Sequence, residues 1–154
     1  MNRNVNLIPL SHDHHQGLVF ALRLKKGVQK RTGPAVLKRF VFDYWENDMH
    51  HHFYKEERWL RPMMDDDHSM TITFEMDHQF IRECVQRISE LEGDDLYLTI
   101  KSLSSRIEKH IRFEERKLFP FLENKLSSNE LQEIGKGLAD HQESCLNFQP
   151  EFWK

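Results

Sequence analysis

Two segments of this chain, 52–62 and 110–120, carry one pattern, H-x-x-x-E-E-R-x-L-x-P. His52, Glu56, Glu57, Arg58, Leu60 and Pro62 match His110, Glu114, Glu115, Arg116, Leu118 and Pro120 at equal offsets. Four residues along an α-helix bring the Glu within about 40° of the His, one turn on. Walking in steps of three and four places Val41, Trp45, Met49, His52, Glu56 and Leu60 on one stripe. A second stripe holds Ile100, Leu103, Ile107, His110, Glu114 and Leu118, and a third Phe74, His78, Ile81, Val85 and Ile88. Each is the apolar face of a helix, interrupted by acid or imidazole. A carboxylate aimed into a helical core is costly unless it is paired or bound to a metal. No Lys or Arg stands on these stripes, so the repeat constrains the chain to helices that meet around a shared cation, with two equivalent half-sites facing each other.

Glycine and proline punctuate the same helices. Ser11 caps a first helix that runs to about Arg31, where Thr32-Gly33-Pro34 stops it. Pro34 opens a second, to about Leu60, and a polar stretch follows at 62–69. A third spans about Met70 to Leu91, and a fourth about Leu96 to Phe119 or slightly beyond, with Pro120 an end or a kink. Ser127 and Glu130 form a capping box for a shorter fifth helix, weakened by Gly135 and Gly137. No β alternation is present. The expected fold is all-α, an antiparallel up-down-up-down four-helix bundle with a short fifth C-terminal helix, in one domain over 1–154.

Ten histidines demand explanation, more than the 6 glycines or 5 prolines. The first helix adds His12, His14 and His15; His14 and His15 can each share a face with Leu18 and Leu22, so periodicity does not choose between them. One of them brings the set to four His and two carboxylates, or two 2-His-1-carboxylate groups, a composition suited to non-haem iron. With both Glu bridging, six side chains supply about eight metal bonds where two six-coordinate irons take about twelve. A bridging oxygen and one or two exogenous ligands complete the count. His12, His68 and His141 lack a carboxylate companion on a clear stripe and are expected to have no metal role, and His50 and His51 flank the site. Glu57 and Glu115 are expected to pair on the surface with Arg58 or Arg116, and Trp45, Tyr54 and Phe74 to fill the core. Asp65-Asp66-Asp67 reads as a solvated loop, since Ca2+ loops need a longer, Gly-containing series.

Acidic residues number 25 and basic 22, a net charge of −3 that gives no field for nucleic acid. No apolar run reaches the ~20 residues of a membrane span. Cys84 and Cys145 stand without CxxC spacing, and the N-terminal stretch lacks a secretory apolar core. Free thiols and a cytoplasmic location are expected.

These residues resemble the hemerythrin-like (HHE cation-binding) family over most of the chain. His15-Gln-Gly-Leu-Val is similar to its first-helix H-x-G-L-F segment, which favours His15. The second-helix HxxxE, Asp77-His78 and the stretch at 110–120 also correspond. The resemblance implies His15, His52, Glu56, His78, His110 and Glu114 as ligands of a non-haem di-iron centre, oxo- or hydroxo-bridged. Oxygen carriers of that family have a further His where this chain has Phe74. This points away from simple O2 carriage, towards sensing, redox or iron-handling relatives. Their fourth-helix carboxylate sits five residues after its His, at Glu115 here, but the spacing of His52 and Glu56 favours Glu114.

The leading expectation is a di-iron protein that binds or senses O2, NO or peroxide, or handles iron. No separate nucleophile or general base stands out, so catalysis is not required. A ferritin-like di-iron oxidase wants Glu-x-x-His on two helices, and only Glu75-Met-Asp-His78 has that form in the core. HExxH is absent, and zinc remains an alternative metal. A metal-stabilised interaction module is the third expectation, with the aromatic tail 147–154 docking on a partner or in a homodimer.

Overall fold

A computed structural model describes residues 2–139 and 147–154. His141 and Cys145 lie outside the described residues. Those residues are helical, without a strand. A 3-10 turn at Val5–Leu7 leads into α1, Ile8–Gln29. The second helix, α2, covers 34–60, followed by a 3-10 turn at Arg61–Met63; α3 is Ser69–Ile88, α4 covers 93–125, and α5 is Ser128–Leu138. α1 lies along α4 and α4 along α3, while α2 touches both α1 and α3. The five expected helices are present; the first begins three residues before Ser11. Asn4, not Ser11, caps the entry turn, its side chain accepting from Asn6 N at 2.9 Å.

The shared sequence pattern has a shared backbone consequence. Within α2 and α4, residues Glu56–Leu60 and Glu114–Leu118 form π-turns, and a third lies at Trp45–Met49. Arg61 N bonds back to Glu56 O and Phe119 N to Glu114 O. The residue that follows each closing bond is proline, Pro62 or Pro120. Proline offers no N–H and its ring crowds the carbonyl four residues earlier, which here belongs to Arg58 or Arg116, inside the widened turn. The π-turn absorbs that crowding, so Pro120 neither ends nor breaks α4, which continues to Lys125. Single π-turns of this kind concentrate at functional sites.

Apolar side chains form two buried groups. One contains Phe20, Phe40, Ile81, Ile100 and Leu103; the other contains Leu7, Leu60, Phe74, Leu118 and Phe119. α5 caps the second with Leu131, Ile134 and Leu138, and its capping box is formed, Glu130 N to Ser127 Oγ at 3.1 Å and Ser127 N to Glu130 Oε1 at 3.0 Å. Gly135 and Gly137, poor helix formers, permit the close approach of α5. A Cβ on Gly137 would come 2.1 Å from the Trp59 ring, and one on Gly135 2.2 Å from Asn6 Oδ1.

The C-terminal tail folds onto its own domain. Phe148, Phe152 and Trp153 surround Phe40, at ring separations of 5.0, 5.0 and 5.8 Å. Arg23 lies 4.0 Å over Trp153 and Arg39 4.5 Å over Phe148. Tyr54 corrects another expectation: it is 57% exposed, on the outer face of α2, and fills no core. No described helix is long and apolar enough to cross a membrane.

Candidate metal centre

Between the two apolar groups lies a layer of buried polar side chains from all four long helices. His14, His52, His78 and His110 are each at most 8% exposed, and Glu56 and Glu114 are fully buried. The HxxxE spacing works as the helix geometry requires: His52 Nε2 lies 3.3 Å from Glu56 Oε2, and His110 Nε2 3.3 Å from Glu114 Oε2. Across the core, His14 Nε2 lies 2.8 Å from Glu114 Oε1 and His78 Nε2 3.1 Å from Glu56 Oε1. Two donor groups result, His14-His52-Glu56-Glu114 and Glu56-His78-His110-Glu114, each with its ligand atoms within 4.8 Å of one another. The groups share both carboxylates.

Of the six expected residues, the structure brings five together and moves one. His15 is exposed, and His14 occupies its place in the layer. Leu10, His14, Gly17, Ala21 and Leu24 form the buried stripe of α1, whereas Leu18 is only half-buried and Leu22 is 52% exposed. The inward stripe is easy to overlook because Gly17 and Ala21 are small where α1 meets α4. His12 and His50 are exposed, and His68 Nδ1 caps α3 by accepting from Met70 N at 3.0 Å.

A ring of four further acids holds the imidazoles from outside. Nδ1 of His52 bonds Asp13 at 2.9 Å, of His78 Glu57 at 2.7 Å, of His110 Asp77 at 3.0 Å, and of His14 Glu115 at 2.7 Å. Each helix thus orients the histidine of a neighbour, in the cycle α1 to α2 to α3 to α4 to α1. This corrects the surface pairing expected for Glu57 and Glu115. Glu57 instead takes a two-pronged bond from Arg82 at 2.6 and 2.9 Å, and Glu115 accepts from Ser11 at 2.8 Å. Arg106 braces Asp77 at 3.2 Å. The sequence signal for this ring is the repeated Asp-His pair, 13–14 and 77–78, together with the second Glu of each repeat copy.

Without metal these groups charge one another. Burial opposes a proton on His52, but Glu56 and Asp13 outweigh it and lift the imidazole to about 9. Glu114 and Asp77 likewise lift His110 to about 10 against burial, and Glu114 and Glu115 raise His14 well above its ordinary value. Burial resists charge on Glu56, yet His52 foremost holds it well below the usual carboxylate range. Glu57 is held at about 2 by His78 and Arg82, again against burial.

A metal fits this layer. His52 Nε2, His110 Nε2, Glu56 Oε2 and Glu114 Oε2 are buried at its centre with no hydrogen-bond partner. Such orphaned atoms are rare in folded proteins, and here all four belong to residues of the two donor groups. Each imidazole presents Nε2 inward because its Nδ1–H is committed to a carboxylate, the usual support of a metal-bound histidine. Imidazole with carboxylate is a donor set suited to iron and to zinc.

Helices arranged around a buried histidine–carboxylate layer with unsatisfied donor atoms define a cation-binding helical protein. The chain belongs to the family of the hemerythrin HHE cation-binding domain, whose family model matches residues 4–122. The match takes in all six inward-facing donors and ends before α5. No curated protein and no solved structure matches the chain.

Proposed function

We propose that the layer binds two iron ions. Glu56 and Glu114, common to both donor groups, would hold both ions, His14 and His52 would hold one, and His78 and His110 the other. The carrying observation is the convergence of four Nε2 atoms on two shared carboxylates whose second oxygens have no partner. Bound there, a pair of irons supplies redox chemistry and positions open to a small exogenous ligand. The four long helices, running alternately up and down, hold the donors in register. Asp13, Glu57, Asp77 and Glu115 fix the imidazole orientations, and the apolar groups on either side limit access of water.

On this reading the chain binds or senses O2, NO or peroxide in the cytoplasm. Iron analysis joined to the visible spectrum, before and after reduction and re-exposure to air, tests it. About two irons per chain with an oxo-to-iron absorption band support the reading. Colourless protein with one tightly held zinc refutes it. Iron handling is a second reading, favoured by Glu57, whose side chain is 35% exposed and bonds directly to His78. Rapid iron loss to a chelator from reduced protein would favour handling over ligand sensing.

A further inference from the structure

A cavity of about 30 Å³ adjoins the histidine–glutamate layer on the side of His14, His52 and His110. Gly17, Met49, Phe53, Ile81, Ile107 and Ile111 supply its apolar wall, and Asp13 reaches it beside the three histidines. Its volume is more than the roughly 10–15 Å³ a single water needs, so a molecule of two or three atoms fits.

One uncharged polar group interrupts that wall. Tyr44 lines the cavity, 5% exposed, and its ring is stacked on Phe20 at 4.0 Å with an interplanar angle of 11°. The stack leaves the ring little freedom, so the hydroxyl has a defined place. Gly17 is also in the wall: a Cβ there would come into ordinary contact with the Tyr44 hydroxyl at 3.5 Å and would press on Ile111 Cδ1 at 2.8 Å. Any side chain at 17 would occupy the space between phenol and isoleucine. Burial, with the charges of Asp48 and Asp13, pushes the phenol upward, so it keeps its proton and acts as a donor.

We propose that Tyr44 is the specificity-determining hydrogen-bond donor of this cavity and that Gly17 keeps its hydroxyl open to the ligand. The chain then prefers a ligand of two or three atoms that accepts a hydrogen bond over an equally small apolar gas. The inference rests on the small-ligand reading above and adds the group that discriminates among such ligands.

Two probes test it, azide as a small acceptor and xenon as an apolar gas. Tyr44→Phe keeps the stacked ring and removes only the donor. Azide is an anion, so the hydrogen bond lost is charge-assisted, and azide affinity of the iron-loaded protein, read by visible titration, is expected to fall by about tenfold to a hundredfold. Xenon should still occupy the cavity in pressurised crystals of the same variant. Gly17→Ala is expected to weaken both probes, with unchanged iron content, and it tests the cavity independently should Tyr44→Phe fail to fold. Equal azide affinity in wild type and Tyr44→Phe at equal iron content would overturn this inference alone, as would xenon absent from the wild-type cavity. Protein that takes up no iron would overturn the underlying reading and this inference with it.

Discussion

Asp13 Oδ2 stands 2.9 Å from His52 Nδ1, so an acid on α1 fixes the ring of a histidine on α2. The bond selects the tautomer that leaves Nε2 free to face Glu56. Asp77 does the same for His110 from α3. Asp13→Asn keeps the shape and removes the charge. It is expected to lower metal affinity by about 10–100-fold, the usual loss for such a supporting carboxylate, with helix content unchanged. Chelator competition measures this, and unaltered affinity would show the bond to be dispensable.

His14 and His15 differ by one position and in every physical respect. His14 is 3% exposed with both ring nitrogens engaged by carboxylates, whereas His15 faces solvent. His14→Ala should lose metal, and His15→Ala should load to the wild-type level. Metal analysis of the two purified variants decides it, and the reverse result would return the ligand to His15.

The helices were legible because Gly, Pro and capping residues mark their ends, and the repeat exposed His52, Glu56, His110 and Glu114 as inward-facing. His14 was not separable from His15 by periodicity, since both can share a face with Leu18 and Leu22, and the resemblance of His15-Gln-Gly-Leu-Val pointed to the wrong one; the stripe that decides it runs through the small residues Gly17 and Ala21, which close helix contact favours. The outer acids were hidden for another reason. Whether Glu57 reaches Arg58 or His78 depends on where α3 lies, and no spacing within one helix encodes that. The π-turns were equally unreadable in advance, though the prolines that accompany two of them were in plain view.

The tail 147–154 stabilises the domain that carries it. Trp153 is 9% exposed, packed against Phe40 and Phe152 and covered by Arg23. Trp153→Ala is expected to cost about 3 kcal/mol, at the low end for a buried aromatic because the residue keeps 9% of its exposure. Denaturant unfolding measures it. Metal content should be unchanged, since the tail reaches no member of the polar layer. A change in size-exclusion volume with little loss of stability would instead favour docking on a second chain.

Acid and base should act on the metal-free protein in a direction set by its histidines. His52 and His110 titrate at about 9 and about 10 in the folded chain, against about 6.5 when unfolded. A folded pKa above the unfolded one means the native state binds the proton more tightly. The stabilisation is therefore complete below about 6.5 and is lost as pH rises through 9 to 10. Thermal melts of metal-free protein should show a falling midpoint between about pH 7 and 10, and His52→Gln should flatten part of that slope. A midpoint that stays flat over this range would mean that the buried imidazoles are neutral in the metal-free fold and that their carboxylate partners do not hold a proton between them.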